Sequence, residues 1–321
     1  MKVEPIRVGF DFADPTMWRT VFYEKFSTAL KISPFHVTDP RLADIRFASE
    51  DIAMETNWPR FGNPGSVFIH GIFDKGRYSQ YLKRLVEADK AFCVLSMNPV
   101  NRLPARLSSC RHLLVADVNL CRADRARNPR TISMPAPPFV TGSSEGGEKR
   151  FLASFRGTAS HPVRAELAKL DRPGSIVVEL TSDRQHVGVL DAENEVAEDD
   201  YARLLRDSIF AFVPRGDYEF SYRLLEVMSF GCIPVVISDG LLLPFDRIID
   251  WRKCSLTVPE ARVADIPDLL AAMNSATVDA LRAATERVYR VFLADFDKIA
   301  HSLIAELSII LRLDSSFLLN R

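Results

Sequence analysis

Arg223 and Glu226 are the two residues in this sequence whose side chains are best suited to bind a nucleotide. Residues three positions apart lie on one face of a helix. Arginine is permanently charged and can hold a diphosphate through two parallel hydrogen bonds. Glutamate can accept hydrogen bonds from two neighbouring ribose hydroxyls, a role that contributes affinity and little packing. The same spacing also suits a surface ion pair, so spacing alone leaves both interpretations open.

The sequence around these residues predicts the elements that would position them. Apolar runs of strand length alternate with helical patterns, which is typical of a doubly wound α/β domain. In such sheets ligands bind at the carboxyl ends of the strands. The predicted elements are a strand at 209–213, a helix at 221–230 closed by Gly231, a strand at 233–237 and a helix at 241–249.

Six short motifs occur in order along this half of the chain. They are Val213-Pro-Arg-Gly216, Ser221-Tyr-Arg-Leu-Leu-Glu226, Gly231-Cys-Ile-Pro-Val235, Ser238-Asp-Gly240, Leu243-Pro-Phe245 and Asp250-Trp251. None is specific alone, but the ordered and correctly spaced set resembles the exostosin family of glycosyltransferases. The resemblance runs from about Phe151 to Leu311 and is weak before that.

An upstream segment adds further candidates for the donor site. Gly157 follows a strand-like run, and Arg164 lies in the helix after it, which is similar to the family's F-x-G-x6-R element. A glycine lets the backbone approach a phosphate, and arginines beside it would bind the charge. The alternative is an ordinary turn between a strand and a helix. The resemblance implies a donor site made of Arg156, Gly157, Arg164, Arg215, Ser221, Arg223 and Glu226.

The resemblance also implies a fold, GT-B, in which two Rossmann-like doubly wound domains face each other across a cleft. A chain of 321 residues suits two domains better than one. We expect an acceptor-side domain at 1–140, a nucleotide-sugar domain at 141–275, and a helical segment at 276–321 that returns to the first domain. Outside the motif region we expect strands at 6–10, 35–37, 45–48, 67–70, 91–95, 151–155 and 176–180, and helices near 18–30, 78–88, 161–170 and 199–207.

Sugar transfer with inversion needs a base that takes the proton of the acceptor hydroxyl. The candidates follow predicted strands of the first domain and are Asp11, Asp14, Asp51, His70, Asp74 and Asp117. We favour Asp11, then His70, then Asp14, because the carboxyl end of the first strand should face the cleft. Asp11 and Asp14 could instead cap the following helix, and His70 could be an ordinary buried histidine.

The sequence predicts no metal site and no cofactor other than the nucleotide sugar itself. Asp295-Phe-Asp297 has the form of the D-x-D motif that binds a metal–diphosphate complex in the other major glycosyltransferase fold. It lies within a helical pattern, where alternate carboxylates point apart and cannot share one ion. The motifs GxGxxG, GxxxxGK(S/T), HExxH and GxSxG are missing, which disfavours dehydrogenases, P-loop proteins, zincins and serine hydrolases.

The composition of the chain limits which partners it could bind and in which cellular compartment it could work. A net charge of −1 argues against a nucleic-acid partner. Five scattered cysteines without CxxC spacing predict a reducing compartment, and we expect a cytoplasmic enzyme. No signal peptide and no transmembrane segment are expected. The amphipathic C-terminal stretch leaves peripheral membrane contact open.

The resemblance therefore implies a hexosyl- or pentosyltransferase that moves a sugar from a nucleotide diphosphate donor to a glycan or glycolipid hydroxyl. The expected donor is a UDP-sugar. One alternative is a GDP-fucose-dependent enzyme, since fucosyltransferases have similar helix and strand motifs but lack the LPF…W sequence found here. The other is a non-catalytic module that binds a glycan or a protein partner. Such a module would have lost its donor residues, whereas Arg223 and Glu226 are both present.

Overall fold

The computed structural model describes residues 7–10, 21–39, 42, 45–48, 91–96, 113–136, 138–143, 148–181 and 195–313. The chain divides into two compact units. One comprises Met1–Met134, Leu242–Ile248 and Asp295–Arg321, and the other Pro135–Leu241 and Ile249–Ala294. We had expected a single change of domain near residue 140 and a separate helical segment from 276.

Strands and helices alternate from residue 151 to residue 237. The first half contains β1 (Val8–Phe10), α1 (Val21–Ile32), β2 (Ile45–Ala48), β3 (Ala91–Ser96), β4 (Leu113–Asp117), α2 (Arg122–Arg127) and β5 (Thr131–Ser133). The second half contains β6 (Phe151–Thr158), α3 (Pro162–Ala168), β7 (Ile176–Thr181), α4 (Glu195–Arg206), β8 (Ser208–Pro214), α5 (Arg223–Ser229), β9 (Ile233–Ile237), β10 (Leu256–Val258), α6 (Ile266–Ala271), α7 (Ser275–Val288) and α8 (Phe296–Leu313).

The first unit is built on a parallel sheet in the order β1-β2-β3-β4-β5. Helix α8 belongs to this unit and packs against α1. Leu303 and Leu307 of α8 are fully buried, as is Leu30 of α1. The apolar side of the amphipathic C-terminal stretch is therefore the side that α8 buries against the first unit.

The second unit is built on a parallel sheet in the order β10-β9-β8-β6-β7. Phe210 and Phe212 of β8, with Ile233 and Val235 of β9, are at most 1% exposed. Central parallel strands are covered on both faces, which explains why both read as continuous apolar runs. The predicted α/β class is confirmed, and each unit is a Rossmann-like parallel sheet with helices, consistent with the GT-B fold.

Most predicted elements of the second unit are confirmed within one to four residues. Gly231 follows α5 with a φ of 67°, the left-handed conformation that a helix C-cap glycine adopts. Two expectations are wrong, and a third element has more detail than the sequence predicted. Residues 35–37 form no strand, 241–249 form no helix, and the last helical stretch is interrupted by a π-helical turn at Tyr289–Leu293 before α8 begins.

The segment Leu242–Ile248 folds into the first unit, although it lies between two strands of the second. Phe245 has a φ of 51°, which breaks the expected helix, and its side chain is fully buried. Its amide donates to the carbonyl of Ser133 at 3.0 Å. Arg247 donates to Glu306 of α8 through its backbone amide (2.7 Å) and Nη1 (2.8 Å). The LPF motif is therefore part of the structure of the first unit.

Candidate functional site

The candidate site lies where the sheet of the second unit changes its direction of winding. The chain leaves β6 for β7 on one side and then returns to β8 on the other side. The carboxyl ends of β6 and β8 thus form the topological switch point, where open α/β sheets bind ligands. Four of the predicted residues lie at or just after these two strand ends. Arg156 and Gly157 are near the end of β6, Arg164 is in the helix that follows it, and Arg215 comes directly after β8.

Arg164 holds the ends of the two strands together. Its Nη1 donates to the carbonyl of Thr158 at 3.1 Å, and its Nε donates to that of Arg215 at 2.8 Å. The residue is 6% exposed. Burial, together with the positive charge of Arg223, lowers the pKa of Arg164 to about 10, so it remains charged at neutral pH. A positive charge is therefore fixed between β6 and β8.

Arg223 brings a second guanidinium to the same place. Its Nε donates to the carbonyl of Arg156 at 2.8 Å. Its guanidinium carbon lies 5.1 Å from the ring centre of Phe155, and that of Arg164 lies 5.7 Å from the same ring. Both cations thus pack on one aromatic ring. Among the described residues no carboxylate lies within 4.0 Å of either guanidinium.

Gly157 has a different purpose from the one expected. A Cβ at this position would lie 2.2 Å from Nη2 of Arg223. The absence of a side chain at Gly157 therefore makes room for Arg223, whereas we had predicted that it makes room for a phosphate. At Gly216 a Cβ would lie 2.9 Å from Nη2 of Arg164. Both glycines therefore accommodate the two guanidinium groups.

The other two predicted arginines are paired with carboxylates. Nε of Arg156 lies 3.4 Å from Oε2 of Glu179, its neighbour across the β6–β7 pair. Nη1 of Arg215 lies 2.8 Å from Oε1 of Glu219 and 3.7 Å from Oε1 of Glu260. Their charges are balanced by protein groups, so the structure distinguishes them from Arg164 and Arg223.

Glu226 is more deeply built into the protein than we had expected. It is 4% exposed. Its Oε1 accepts from the amide of Phe139 at 3.1 Å, and its Oε2 accepts from the hydroxyl of Tyr201 at 2.9 Å. Burial, and then the charge of Glu226, raise the pKa of Tyr201 well above its ordinary value. Glu226 therefore contributes to packing, and binding to a ribose would have to use its remaining lone pairs.

Ser221, one turn before Glu226, is buried and has a hydroxyl without a hydrogen-bond partner in the described part of the chain. A buried hydroxyl in this condition is costly unless a ligand or water completes it. Sequence reasoning missed Phe155, Phe139 and the Tyr201 hydroxyl. Only Tyr201 left a signal, since it begins the Y-x-x-x-L pattern that precedes β8.

Of the candidate bases, only Asp117 lies within the described residues. Asp11, Asp14, Asp51, His70 and Asp74 lie outside them. Asp117 ends β4 and is fully buried, and its Oδ1 accepts from the amide of Asn119 at 2.6 Å. This is a local turn contact typical of an aspartate that shapes a loop. The preference for Asp11, His70 and Asp14 stays a prediction.

Asp295 immediately precedes α8, and Asp297 is the second residue of that helix. Oδ1 of Asp295 accepts from the amide of Lys298 at 2.9 Å, as a helix cap does, and its other oxygen pairs with Nζ of Lys298. The carbonyl of Asp297 contacts Nδ1 of His301. Across the described ranges no group of three or more His, Cys, Asp or Glu side chains could hold a metal ion.

The two parallel sheets define a doubly wound α/β protein. Proteins of this class bind ligands at the switch point of the sheet, which is where the two arginines lie here. The family model described as the Exostosin GT47 domain matches residues 91–273. Exostosin-1 of Drosophila melanogaster is 35% identical over 308 aligned residues, which cover 86% of this chain and 39% of that protein. The chain belongs to the exostosin GT47 family of glycosyltransferases, as its motifs predicted.

Other relatives match shorter parts of the chain. The Exostosin-1 homolog of Caenorhabditis elegans is 40% identical over 101 residues, 32% of this chain and 26% of that protein. The chain therefore spans well under half the length of these curated relatives. The solved structure of AviGT4, a glycosyltransferase involved in avilamycin A biosynthesis, is similar with a TM-score of 0.41 and 14% identity, over 96% of this chain and 98% of that one. None of the described helices is long and apolar enough to cross a membrane.

Proposed function

We propose that this chain is an inverting glycosyltransferase that takes a sugar from a nucleotide diphosphate donor, a UDP-sugar in the first instance, and transfers it to a glycan or glycolipid hydroxyl. The observation that carries the proposal is the pair Arg164 and Arg223. Two guanidinium groups at a switch point, one buried and one partly buried, with no carboxylate of a described residue within 4.0 Å, favour a multiply charged anion as their ligand. Family membership supports a sugar nucleotide as that anion.

The two arginines would have different roles in the reaction. Arg164 uses Nε and Nη1 on backbone carbonyls, so it would fix the strand ends and contribute its charge at a distance. Arg223 uses Nε on the protein, which leaves its two terminal nitrogens for a bidentate contact with the diphosphate. Both positive charges would stabilise the diphosphate as it leaves. We propose direct displacement without a metal ion, with the base supplied by the first unit.

A thermal-shift screen against UDP, GDP, CMP and dTDP tests the proposal, because a ligand that binds only the folded state raises its apparent stability. We expect UDP to give the largest shift. A larger shift with GDP would favour the fucosyltransferase alternative. No shift with any nucleotide would favour the non-catalytic module.

Arg223→Lys then tests the site itself. Lysine keeps the charge but cannot make two parallel hydrogen bonds, so we expect the affinity for the nucleotide to fall about tenfold or more. Arg252→Lys is the matched control, since Arg252 is 90% exposed and pairs with Asp250 at 2.8 Å. Unchanged affinity in Arg223→Lys would contradict the assignment of Arg223.

The compartment is also a proposal. Cys121, Cys232 and Cys254 are free thiols. Burial raises the pKa of Cys232 to about 11 and that of Cys254 to about 12, so both are inert packing groups. Their state supports a reducing compartment such as the cytoplasm.

A further inference from the structure

Four aromatic rings form a connected row that includes Tyr222, the residue before Arg223 in the sequence. Tyr218 and Phe220 are stacked with ring centres 5.9 Å apart and planes at 15°. Phe220 meets Tyr222 edge to face at 5.1 Å, and Tyr222 meets Phe139 at 4.7 Å. All four rings are partly exposed. The core residues Phe155, Phe210 and Phe212 of the same unit are at most 2% exposed, whereas the residues of this row are partly exposed and lie after the carboxyl end of β8 or contact that loop.

Polar residues alternate with these rings along the loop between β8 and α5. The sequence reads Asp217-Tyr-Glu-Phe-Ser-Tyr-Arg223. The buried hydroxyl of Ser221 lies between two of the aromatic residues in sequence and has no hydrogen-bond partner within the described ranges. An unsatisfied buried hydroxyl is a second and independent indication that a ligand completes this place.

The mixture of rings and polar groups suits a sugar. A pyranose ring has an apolar face of C–H groups and a rim of hydroxyls, so a site for it needs aromatic surface next to hydrogen-bonding groups. In a nucleotide sugar the ribose and the transferred sugar are bonded to opposite ends of the diphosphate, and Glu226 is the residue assigned to the ribose end. The row includes Tyr222, directly before Arg223, the residue assigned to the diphosphate, and is therefore placed for the sugar.

We propose that the aromatic row Tyr218–Phe220–Tyr222–Phe139 is the platform on which the sugar of the donor lies. The inference rests on the proposed function, because it takes Arg223 as the diphosphate contact. Phe139 links the platform to the nucleotide residues, since its amide donates to Glu226 while its ring contacts Tyr222. The platform is the part of the site that would select among donor sugars.

Phe220→Leu tests the platform, since it removes the central ring and keeps an apolar side chain. We would titrate wild type and variant with UDP, GDP and a panel of their sugar conjugates in a calorimeter. For the conjugate that binds wild type best, we expect affinity to fall about tenfold in Phe220→Leu. Affinity for the free nucleotide should stay within about twofold. Phe220→Trp keeps a ring and should restore the affinity for the conjugate.

Phe151→Leu is the control, because Phe151 is also a partly exposed ring but lies at the amino end of β6. It should leave both affinities unchanged. The inference is overturned if Phe220→Leu binds the conjugate as well as wild type, if it loses the free nucleotide equally, or if wild type binds a free nucleotide but no conjugate. Failure of wild type to bind any free nucleotide would instead overturn the proposed function.

Discussion

Arg223 occupies the space that a side chain on Gly157 would need, since a Cβ on Gly157 would lie 2.2 Å from Nη2 of the arginine. The contact joins the first strand of the second unit to the helix that begins at Arg223. A glycine in one motif and an arginine in another, far apart in the sequence, thus form one structural feature. It makes the position of the guanidinium depend on the absence of a single methyl group.

Gly157→Ala should therefore reduce nucleotide affinity by displacing Arg223. The atom in the way is the end of a long side chain, so the arginine can move and the fold should survive. We expect affinity to fall about tenfold or more, measured by calorimetry with UDP, while the melting temperature changes little. Gly174→Ala is the opposite case, because Gly174 has a φ of 78° and open space around it. It should lower stability and leave the affinity unchanged.

Glu226 has a structural and a proposed binding role, and two variants separate them. Glu226→Ala leaves the buried Tyr201 hydroxyl without its acceptor, so we expect a loss of about 1–3 kcal/mol in the free energy of unfolding. Tyr201→Phe breaks the same hydrogen bond and keeps the carboxylate. If Glu226 also binds the ribose, only Glu226→Ala should lose UDP affinity. Equal affinities in the two variants would leave Glu226 with a structural role alone.

Activity should not depend on a metal ion. Asp295 caps α8 and pairs with Lys298, so we expect Asp295→Asn with Asp297→Asn to keep most of the turnover. Turnover should also survive excess EDTA in a radiolabelled sugar-transfer assay. Inhibition by EDTA that Mn²⁺ or Mg²⁺ reverses would contradict the mechanism.

Removal of Arg247 should destabilise the first unit more at neutral pH than at acid pH. Burial raises the pKa of Glu306 above 4.5, although the hydrogen bonds from Arg247 oppose the shift. The folded state thus holds this proton more tightly than the unfolded state, and stability from this group falls as pH rises through the raised value. Arg247→Met removes the opposing cation, so the pKa should rise further and the cost should grow with pH.

We expect Arg247→Met to cost about 3–5 kcal/mol at neutral pH, the usual effect of leaving one buried partner of an ion pair uncompensated. Urea denaturation at pH 5 and pH 7.5 measures it. Arg252→Met, which breaks an exposed pair, is the control and should have little effect at either pH. A cost for Arg247→Met that is the same at both pH values would show that the charge of Glu306 is not the cause.

One residue among Asp11, Asp14, Asp51, His70, Asp74 and Asp117 should differ from the others if the first unit supplies the base. Its substitution should cut kcat by about two to four decades and leave UDP affinity unchanged. Our order of preference is Asp11, His70, Asp14. His70 would add a limb to the pH–rate profile near its own titration range. Asp117 is fully buried, and its substitution should lower stability instead. Substantial turnover in all six variants would exclude this set.

Local patterns predicted the elements of the second unit, because β8, α5 and β9 are each specified by their own apolar periodicity. The pairing of the arginines could not be predicted. Arg156 meets Glu179 through the register of two strands, and Arg215 meets Glu260 from a distant segment. Those partners exist only once the sheet has formed. Local sequence therefore identified four candidate arginines with Arg223 foremost, and tertiary contacts separated them into two pairs.

The error at 241–249 has the same origin. The residues have a helical pattern, but Ser133 and Glu306, from distant segments on either side in the sequence, fix the segment in an irregular conformation. A helix propensity of a few tenths of a kcal/mol per residue is smaller than the effect of these buried contacts. The buried position of Glu226 was equally hidden, since its partners Phe139 and Tyr201 lie in other segments.

The placement of Leu242–Ile248 has a consequence for folding on the ribosome. Domains that follow one another along a chain usually fold in the order of their synthesis. Here the unit that begins first needs Phe245, Arg247 and Glu306, and so it waits for the last helix to emerge. The second unit has all its residues once Ala294 has been made. The second unit can therefore be complete while the first is still waiting for α8.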